Sequence, residues 1–234
     1  MRRGWLADAV LVAVLAALTA AVAAGWTHGL DLAVRDWSAG HRPTPAYVIA
    51  RALNLLGQGT PLAIIAAVLA GLLAWRSHSV RPLLPVVAAY ILLMATVGPV
   101  KVLTDRAAPH KPPATPHREE FLSGGLSYPS GHTANTVVWY GVLVLLLAAL
   151  APAVLQPAAR RALRLAPPAV VAVVTTYLGF HWVTDTVAGL IVGLLLDRLL
   201  RRVRWDDVPL HRLPGGRRLA ARGWLGKVPD LALR

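Results

Sequence analysis

Six predominantly apolar runs punctuate the chain, at residues 5–26, 55–75, 83–103, 134–155, 168–180 and 183–200. Most are close to the roughly 20 residues that an α-helix needs to cross a hydrocarbon core of about 30 Å. The pattern therefore predicts an all-α bundle of six membrane-spanning helices, the fifth of them short. The first run follows Arg2 and Arg3 and carries Asp8 near its inner end, where a carboxylate costs less than at mid-membrane. Its Ala21-Val22-Ala23 also fits a signal-peptidase site, but the run is longer than the usual signal core of about 7–15 residues, so a retained helix is expected.

The polar intervals differ in character. Residues 27–54 interleave Asp31, Arg35, Asp36, His41, Arg42 and Arg51 with Trp37, Tyr47 and Leu53, a pattern of short interfacial helices broken at Pro43 and Pro45. Residues 104–133 form a long connection rich in Pro, Gly and His, and connections of that length are functional or disordered. Arg160, Arg161 and Arg164 read as a basic loop, and residues 201–234 as a basic tail. Trp5, Trp26, Trp75, Trp139, Trp182 and Trp205 fall near the expected span ends, as an interfacial aromatic belt would place them.

Composition agrees with a membrane protein: 56% of residues are hydrophobic, 15% are charged, and mean hydropathy is +0.55. The absence of cysteine removes disulfides and thiolate metal sites from consideration. A net charge of +13 raises the question of nucleic acid. The cations stand between apolar runs and in the tail without a recognition-fold signature, so membrane lipids are the expected partner and nucleic acid is not. With six spans, Arg2/Arg3, Arg76/Arg81, Arg160/Arg161/Arg164 and the tail share one side, which the positive-inside rule makes cytoplasmic along with both termini. Lys101, His132, His181 and Asp185 then meet at the extracytoplasmic boundary of a cell-membrane protein.

Chemistry gathers at that boundary. Pro129-Ser130-Gly131-His132 stands just ahead of the fourth run, and a Pro-Ser-Gly turn opening a helix offers backbone N–H groups, a hydroxyl and the positive end of a helix dipole to an anion. His181 and Asp185 are spaced to share one helix face, where the carboxylate can bond one ring nitrogen and leave the other as nucleophile or base. The two histidines and Asp185 would also suit zinc, but no further His, Asp or Glu cluster completes such a site, and no metal or cofactor is expected.

These residues resemble the type 2 phosphatidic acid phosphatase (PAP2) superfamily of membrane lipid phosphatases, whose signatures are K-x6-R-P, P-S-G-H and S-R-x5-H-x3-D. The second is complete at Pro129–His132, the third is met by His181 and Asp185, and the first by Lys101 and Pro109. The resemblance covers about residues 55–200 and implies a phosphatase acting on a lipid phosphate through a phosphohistidine. It makes His181 the nucleophile, Asp185 its orienting partner and His132 the general acid and base. Lys101, Ser130 and Gly131 would bind phosphate oxygens.

Two arginines of the family pattern are missing: Ala108 precedes Pro109, and Val174-Thr175 stands in place of Ser-Arg. A lost charged donor in phosphoryl transfer costs on the order of 10²-fold. Arg106, or His110, Lys111 and Arg118 in the same loop, could restore the charge. A substrate with less charge at phosphorus, as in a phosphodiester-using head-group transferase, would need less of it. A binder or transporter of lipid phosphate would need no turnover at all.

Overall fold

The computed structural model describes residues 2–110, 121–153 and 155–210. Lys111, Arg118 and the tail beyond Leu210 lie outside the described residues. Among these residues the chain is all-α, with α1 (Arg2–Ala23), α2 (His28–Gly40), α3 (Thr44–Leu53), α4 (Gly59–Ser77), α5 (Leu84–Thr104), α6 (Gly131–Leu150), α7 (Pro157–Tyr177) and α8 (Val183–Arg202).

Side-chain size is distributed inside out relative to a water-soluble bundle. On α4 and α5, Ile64, Ile65, Val68, Val87, Ile91 and Met94 are exposed, whereas Ala66, Ala70 and Ala89 are fully buried. In water so large an apolar surface would drive association. In a bilayer, lipid covers it, and small residues let helix backbones approach. Gly4–Ala23, Gly59–Ser77, Arg81–Thr104 and Gly131–Leu150 are long and apolar enough to cross, which makes this a multi-pass membrane protein. Helices α7 and α8 have similar lengths, 21 and 20 residues, but α7 carries three arginines and α8 both arginines and aspartates.

Helix α6 is the axle of the bundle. Twelve of its residues, from Thr133 to Ala148, are buried, and α4, α5, α7 and α8 pack around it. Its seam with α8 depends on two glycines one helical turn apart. A Cβ at Gly189 would stand 2.2 Å from Thr133 Oγ1 and 2.4 Å from the Ser130 carbonyl, and one at Gly193 would stand 2.8 Å from Val137 Cβ. The N-terminal ends are also stitched together: Ser130 N–H donates to the Asp185 carbonyl at 2.9 Å, and Thr133 Oγ1 to that of Thr186 at 3.3 Å. Helix α1 joins α8 through Asp8, which accepts from Arg198 Nε at 2.5 Å and also meets Arg202.

Several boundaries differ from the sequence expectation. The fifth expected span corresponds to α7, which begins at Pro157, not residue 168, so Arg160, Arg161 and Arg164 belong to a helix and not to a loop. Pro167 and Pro168 lie inside it. A proline removes one intrahelical hydrogen bond and usually ends a helix, but within a bundle neighbouring groups compensate. The fourth helix occupies Gly131–Leu150, shifted toward the histidine end. Pro45 lies in the first turn of α3 and does not break it. Trp5, Trp26 and Trp75 are exposed, whereas Trp139, Trp182 and Trp205 are buried in the interior and are not belt residues.

Overfilling a close-packed seam typically costs about 1–3 kcal/mol. Gly189→Ala is therefore expected to lower the thermal unfolding temperature in detergent. Gly71→Ala, which meets nothing within 4 Å, is expected to leave it unchanged.

Candidate active site

Three chain segments converge at one end of the bundle. The first is the C-terminal turn of α5 with Lys101. The second is the segment Phe121–Ser130, laid along residues 104–107: Leu122 N–H donates to the Thr104 carbonyl at 2.7 Å, Ser127 N–H to that of Arg106 at 2.9 Å, and Ala107 N–H to Ser123 Oγ at 2.7 Å. Asp105 closes this turn by accepting from Gly125 N–H at 2.8 Å. Tyr128 is buried and its phenol meets Thr19 Oγ1 of α1 at 2.6 Å, which anchors the segment in the bundle. The third segment is the α7–α8 turn with His181.

These segments enclose a cleft of about 520 Å³ lined by Lys101, Gly131, His132 and His181, with Gln58 and Thr60 at the start of α4 and Asn135 of α6 beside them. The imidazole centroids of His132 and His181 lie 5.7 Å apart at an interplanar angle of 65°. Ser130 is the N-cap of α6, its Oγ accepting from Thr133 N–H at 3.4 Å. Gly131 and His132 occupy the first turn of α6, so the positive end of that helix faces the cleft. Lys101 Nζ donates to the Leu126 carbonyl and lines the same space.

His181 is held by an arrangement that the sequence did not reveal. A direct bond from Asp185 was expected, but Asp185 Oδ2 lies 3.6 Å from His181 Nδ1, beyond hydrogen-bonding range. Ser127 stands between them, its Oγ 3.2 Å from Nδ1 and 2.5 Å from Asp185 Oδ2. Asp185 is paired with Arg106 and ionised, so it only accepts. The single Ser127 hydroxyl proton is therefore committed to Asp185, and Ser127 accepts from Nδ1–H. That fixes the tautomer and leaves Nε2 of His181 with its lone pair.

Arg106 does not occupy the place foreseen for it. Its Nη1 donates to Asp185 Oδ1 at 2.6 Å and to Thr184 Oγ1 at 2.8 Å, and its Nη2 to Asp31 Oδ2 at 2.7 Å. The guanidinium is fully buried over the Trp182 ring and is absent from the cleft wall. The reading of Arg106 as a phosphate contact is thus corrected: two carboxylates already engage it. Asp31 completes the cluster by accepting from Thr184 N–H at 3.1 Å and Thr184 Oγ1 at 2.6 Å. Thr175, at the second vacant arginine place, is buried and returns its hydroxyl to the Val171 carbonyl of its own helix at 2.7 Å. His110 Nδ1 lies 3.0 Å from the Gly179 carbonyl, outside the cleft lining.

Sequence reasoning missed Ser127, Asp31, Thr184 and the Gln58/Thr60/Asn135 wall as site residues. The Gly57-Gln58-Gly59 opening of α4 was the one visible sign of that wall. Among the described residues no group of three His, Cys, Asp or Glu side chains is gathered that could hold a metal ion.

The model of the PAP2 superfamily matches residues 82–209 of the chain. A solved structure described as the first transmembrane PAP2 type phosphatidylglycerolphosphate phosphatase from Bacillus subtilis superposes with a TM-score of 0.71 at 20% identity, covering 86% of this chain and 98% of that one. At that identity the likeness speaks for the fold. No curated protein sequence matches the chain.

Breaking a buried ion pair by removing one partner costs about 3–5 kcal/mol, because the charge left behind is uncompensated. Arg106→Ala is therefore expected to destabilise the protein by that order, measured as loss of thermal stability in detergent. A residue whose only role was to contact phosphate would instead weaken substrate binding and leave stability intact.

Proposed function

Because the chain belongs to the PAP2 superfamily, we propose that it is a membrane lipid phosphatase that works through a phosphohistidine. The observation that carries this reading is the meeting of two imidazoles, 5.7 Å apart, across one anion-binding cleft. Nε2 of His181 attacks phosphorus and the P–O bond to the lipid breaks. His132 gives its proton to the leaving oxygen. Water then attacks the phosphohistidine, His132 takes a proton from it, and inorganic phosphate leaves with the His181 lone pair restored. Lys101 and the N–H groups of Gly131 and His132 opening α6 hold the phosphoryl oxygens as charge builds on them, while Ser130, expected to join them, is fully buried outside the cleft lining and caps the helix. Asp185, through Ser127, stabilises the imidazolium character that His181 acquires.

We place the cleft on the extracytoplasmic face and both termini in the cytoplasm. Support comes from the arginines: Arg76 ends α4, Arg160, Arg161 and Arg164 open α7, and Arg201 and Arg202 close α8, all at the end opposite the histidines. In this topology α7 and α8 are the fifth and sixth spans. A cleft at the bilayer boundary lets a lipid keep its chains in the membrane while its phosphate reaches His181. Phosphatidic acid, phosphatidylglycerol phosphate and isoprenyl diphosphates are the candidate substrates.

One observation favours a second reading. Among the described residues Lys101 is the single Lys or Arg side chain lining the cleft, beside the neutral side chains of Gln58, Thr60 and Asn135. That balance fits a phosphodiester, with one negative charge at phosphorus, and a lipid or sugar hydroxyl in place of water would make the protein a head-group transferase. A binder without turnover is the third outcome.

Phosphate release from a panel of lipid phosphates, in detergent with chelator, is the decisive measurement. The parent is expected to turn over with chelator present, and His181→Ala to lose about 10³-fold or more. His132→Ala is expected to lose about 10²–10⁴-fold. Equal activity of His181→Ala would remove the nucleophile, and head-group exchange without free phosphate would establish the transferase.

A further inference from the structure

The end of the bundle opposite the histidines carries a second cavity, and its chemistry is different. It measures about 670 Å³ and lies between α6, α7 and α8. Its walls are apolar: Val137 and Val144 of α6 are buried at its depth, and Leu194 of α8 and Leu165 of α7 border its open side. Val137 and Val144 are separated by roughly 10 Å along the helix axis, so the slot runs from the rim toward mid-bilayer. It opens sideways, since Leu165 and Leu194 are 62% and 40% exposed on the lipid-facing surface.

The rim is cationic. Arg160, Arg161, Arg164 and Arg201 line it with one carboxylate, Asp197. Asp197 is shared: it accepts from Arg164 Nη2 at 2.5 Å and lies 3.0 Å from Arg201 Nε. Gly141 makes room for this pair, since a Cβ there would stand 2.2 Å from Asp197 Oδ1. Among the described residues no carboxylate pairs with Arg160 or Arg161. Arg160 spends only its Nε, on the Leu155 carbonyl at 2.8 Å, which holds the guanidinium at the mouth of the slot. Four guanidiniums against one carboxylate leave an excess of positive charge where an apolar slot meets the membrane surface. Basic pockets between spanning helices fit anionic lipid head groups in this way.

We propose that this cavity binds one anionic phospholipid, its head group on Arg160 and Arg161 and an acyl chain in the slot walled by Val137, Val144 and Leu194. The site is separate from the histidine cleft and takes a lipid that is not consumed. Its occupant braces three helices at once. The opposite ends of those helices carry His132, at the start of α6, and His181, in the turn between α7 and α8. The lipid therefore stabilises the catalytic end through rigid rods and touches none of its residues. The proposal does not rest on the phosphatase reading, because its readout is binding.

The test uses the full chain purified in neutral detergent, with phosphatidylglycerol, phosphatidylcholine and inorganic phosphate as probes. Native mass spectrometry counts retained lipid and thermal unfolding measures its effect. Phosphatidylglycerol is expected to bind at one site and raise the unfolding temperature, with phosphatidylcholine and phosphate about tenfold weaker or more. The double variant Arg160→Gln/Arg161→Gln removes the cations, and Leu194→Trp fills the slot without altering charge. Both are expected to weaken phosphatidylglycerol binding by about tenfold or more, while their lipid-free unfolding temperatures stay with the parent. Lys101→Gln, which alters the other cleft, is expected to bind phosphatidylglycerol normally. The proposal is overturned if both rim and slot variants bind like the parent, if Lys101→Gln abolishes binding, if phosphatidylcholine binds equally, or if inorganic phosphate displaces the lipid.

Discussion

The site is organised by one fully buried carboxylate. Asp185 has no solvent contact, and an ionised group taken out of water is tolerated only when its lone pairs are met. Oδ1 accepts from Arg106, and Oδ2 accepts from Ser127 at 2.5 Å and from Trp182 N–H at 3.0 Å. Those donors come from three separate places: the turn just after α5, the segment before α6, and the N-cap of α8. Satisfying one charge therefore fixes the relative position of three elements. Arg106 extends the constraint to α2, because its second amine is held by Asp31. Behind His181, outside the cleft lining, this ion-pair cluster cannot be loosened at one member without stranding another.

That cluster explains why part of the site was legible in the sequence and part was not. Local patterns carried Pro129–His132, since a helix N-terminus is short-range geometry; the expected shared helix face of His181 and Asp185 did not form, because His181 stands in the turn ahead of the Trp182 N-cap of α8. Asp31 was opaque: it meets Thr184 across 153 residues of chain, and no periodicity links an interfacial aspartate to a turn between the last two helices. Ser127 was visible beside the motif but carried no sign that its hydroxyl would enter between His181 and Asp185. The apolar runs gave the all-α bundle and the approximate places of α1, α4, α5 and α6. They misplaced the start of α7, because Arg160, Arg161, Arg164 and the Pro167–Pro168 pair mimic the end of a hydrophobic segment. A helix that borrows compensation from its neighbours hides its first turns from a hydropathy reading.

The two vacant arginine places acquire a physical meaning once the side chains are seen. Thr175 is buried with its hydroxyl turned back on its own helix, so that position contributes no donor to the cleft. Arg106, two residues before Ala108, is committed to Asp31 and Asp185. The family's cationic clamp has not simply moved along the loop to Arg106. Among the described residues, the cleft is lined by Lys101, the helix-dipole end of α6 and the amide and hydroxyl groups of Gln58, Thr60 and Asn135. Neutral donors stabilise a spread, modest negative charge well and a concentrated one poorly, since charge-assisted hydrogen bonds are roughly twice as strong as neutral ones. For the lipid phosphatase proposed above, the number of charges on the phosphoryl group is therefore the substrate property to which this cleft would be most sensitive.

Helices α6, α7 and α8 connect that cleft to the arginine-rimmed slot at their other ends. The Gly189 and Gly193 seam brings α6 and α8 into backbone contact at the histidine end. Farther along, Gly141 gives way to the Asp197–Arg164 ion pair, and the contact changes from dry packing to charge. Close-packed interfaces tolerate few intermediate arrangements. In the lipid-site proposal, a change in how α7 sits against α6 and α8 at the arginine end would be carried along rods of about 30 Å to the turn that holds His181. The tight seam acts as the fulcrum, and the ionic, partly hollow end is where a small energy difference has the longest lever.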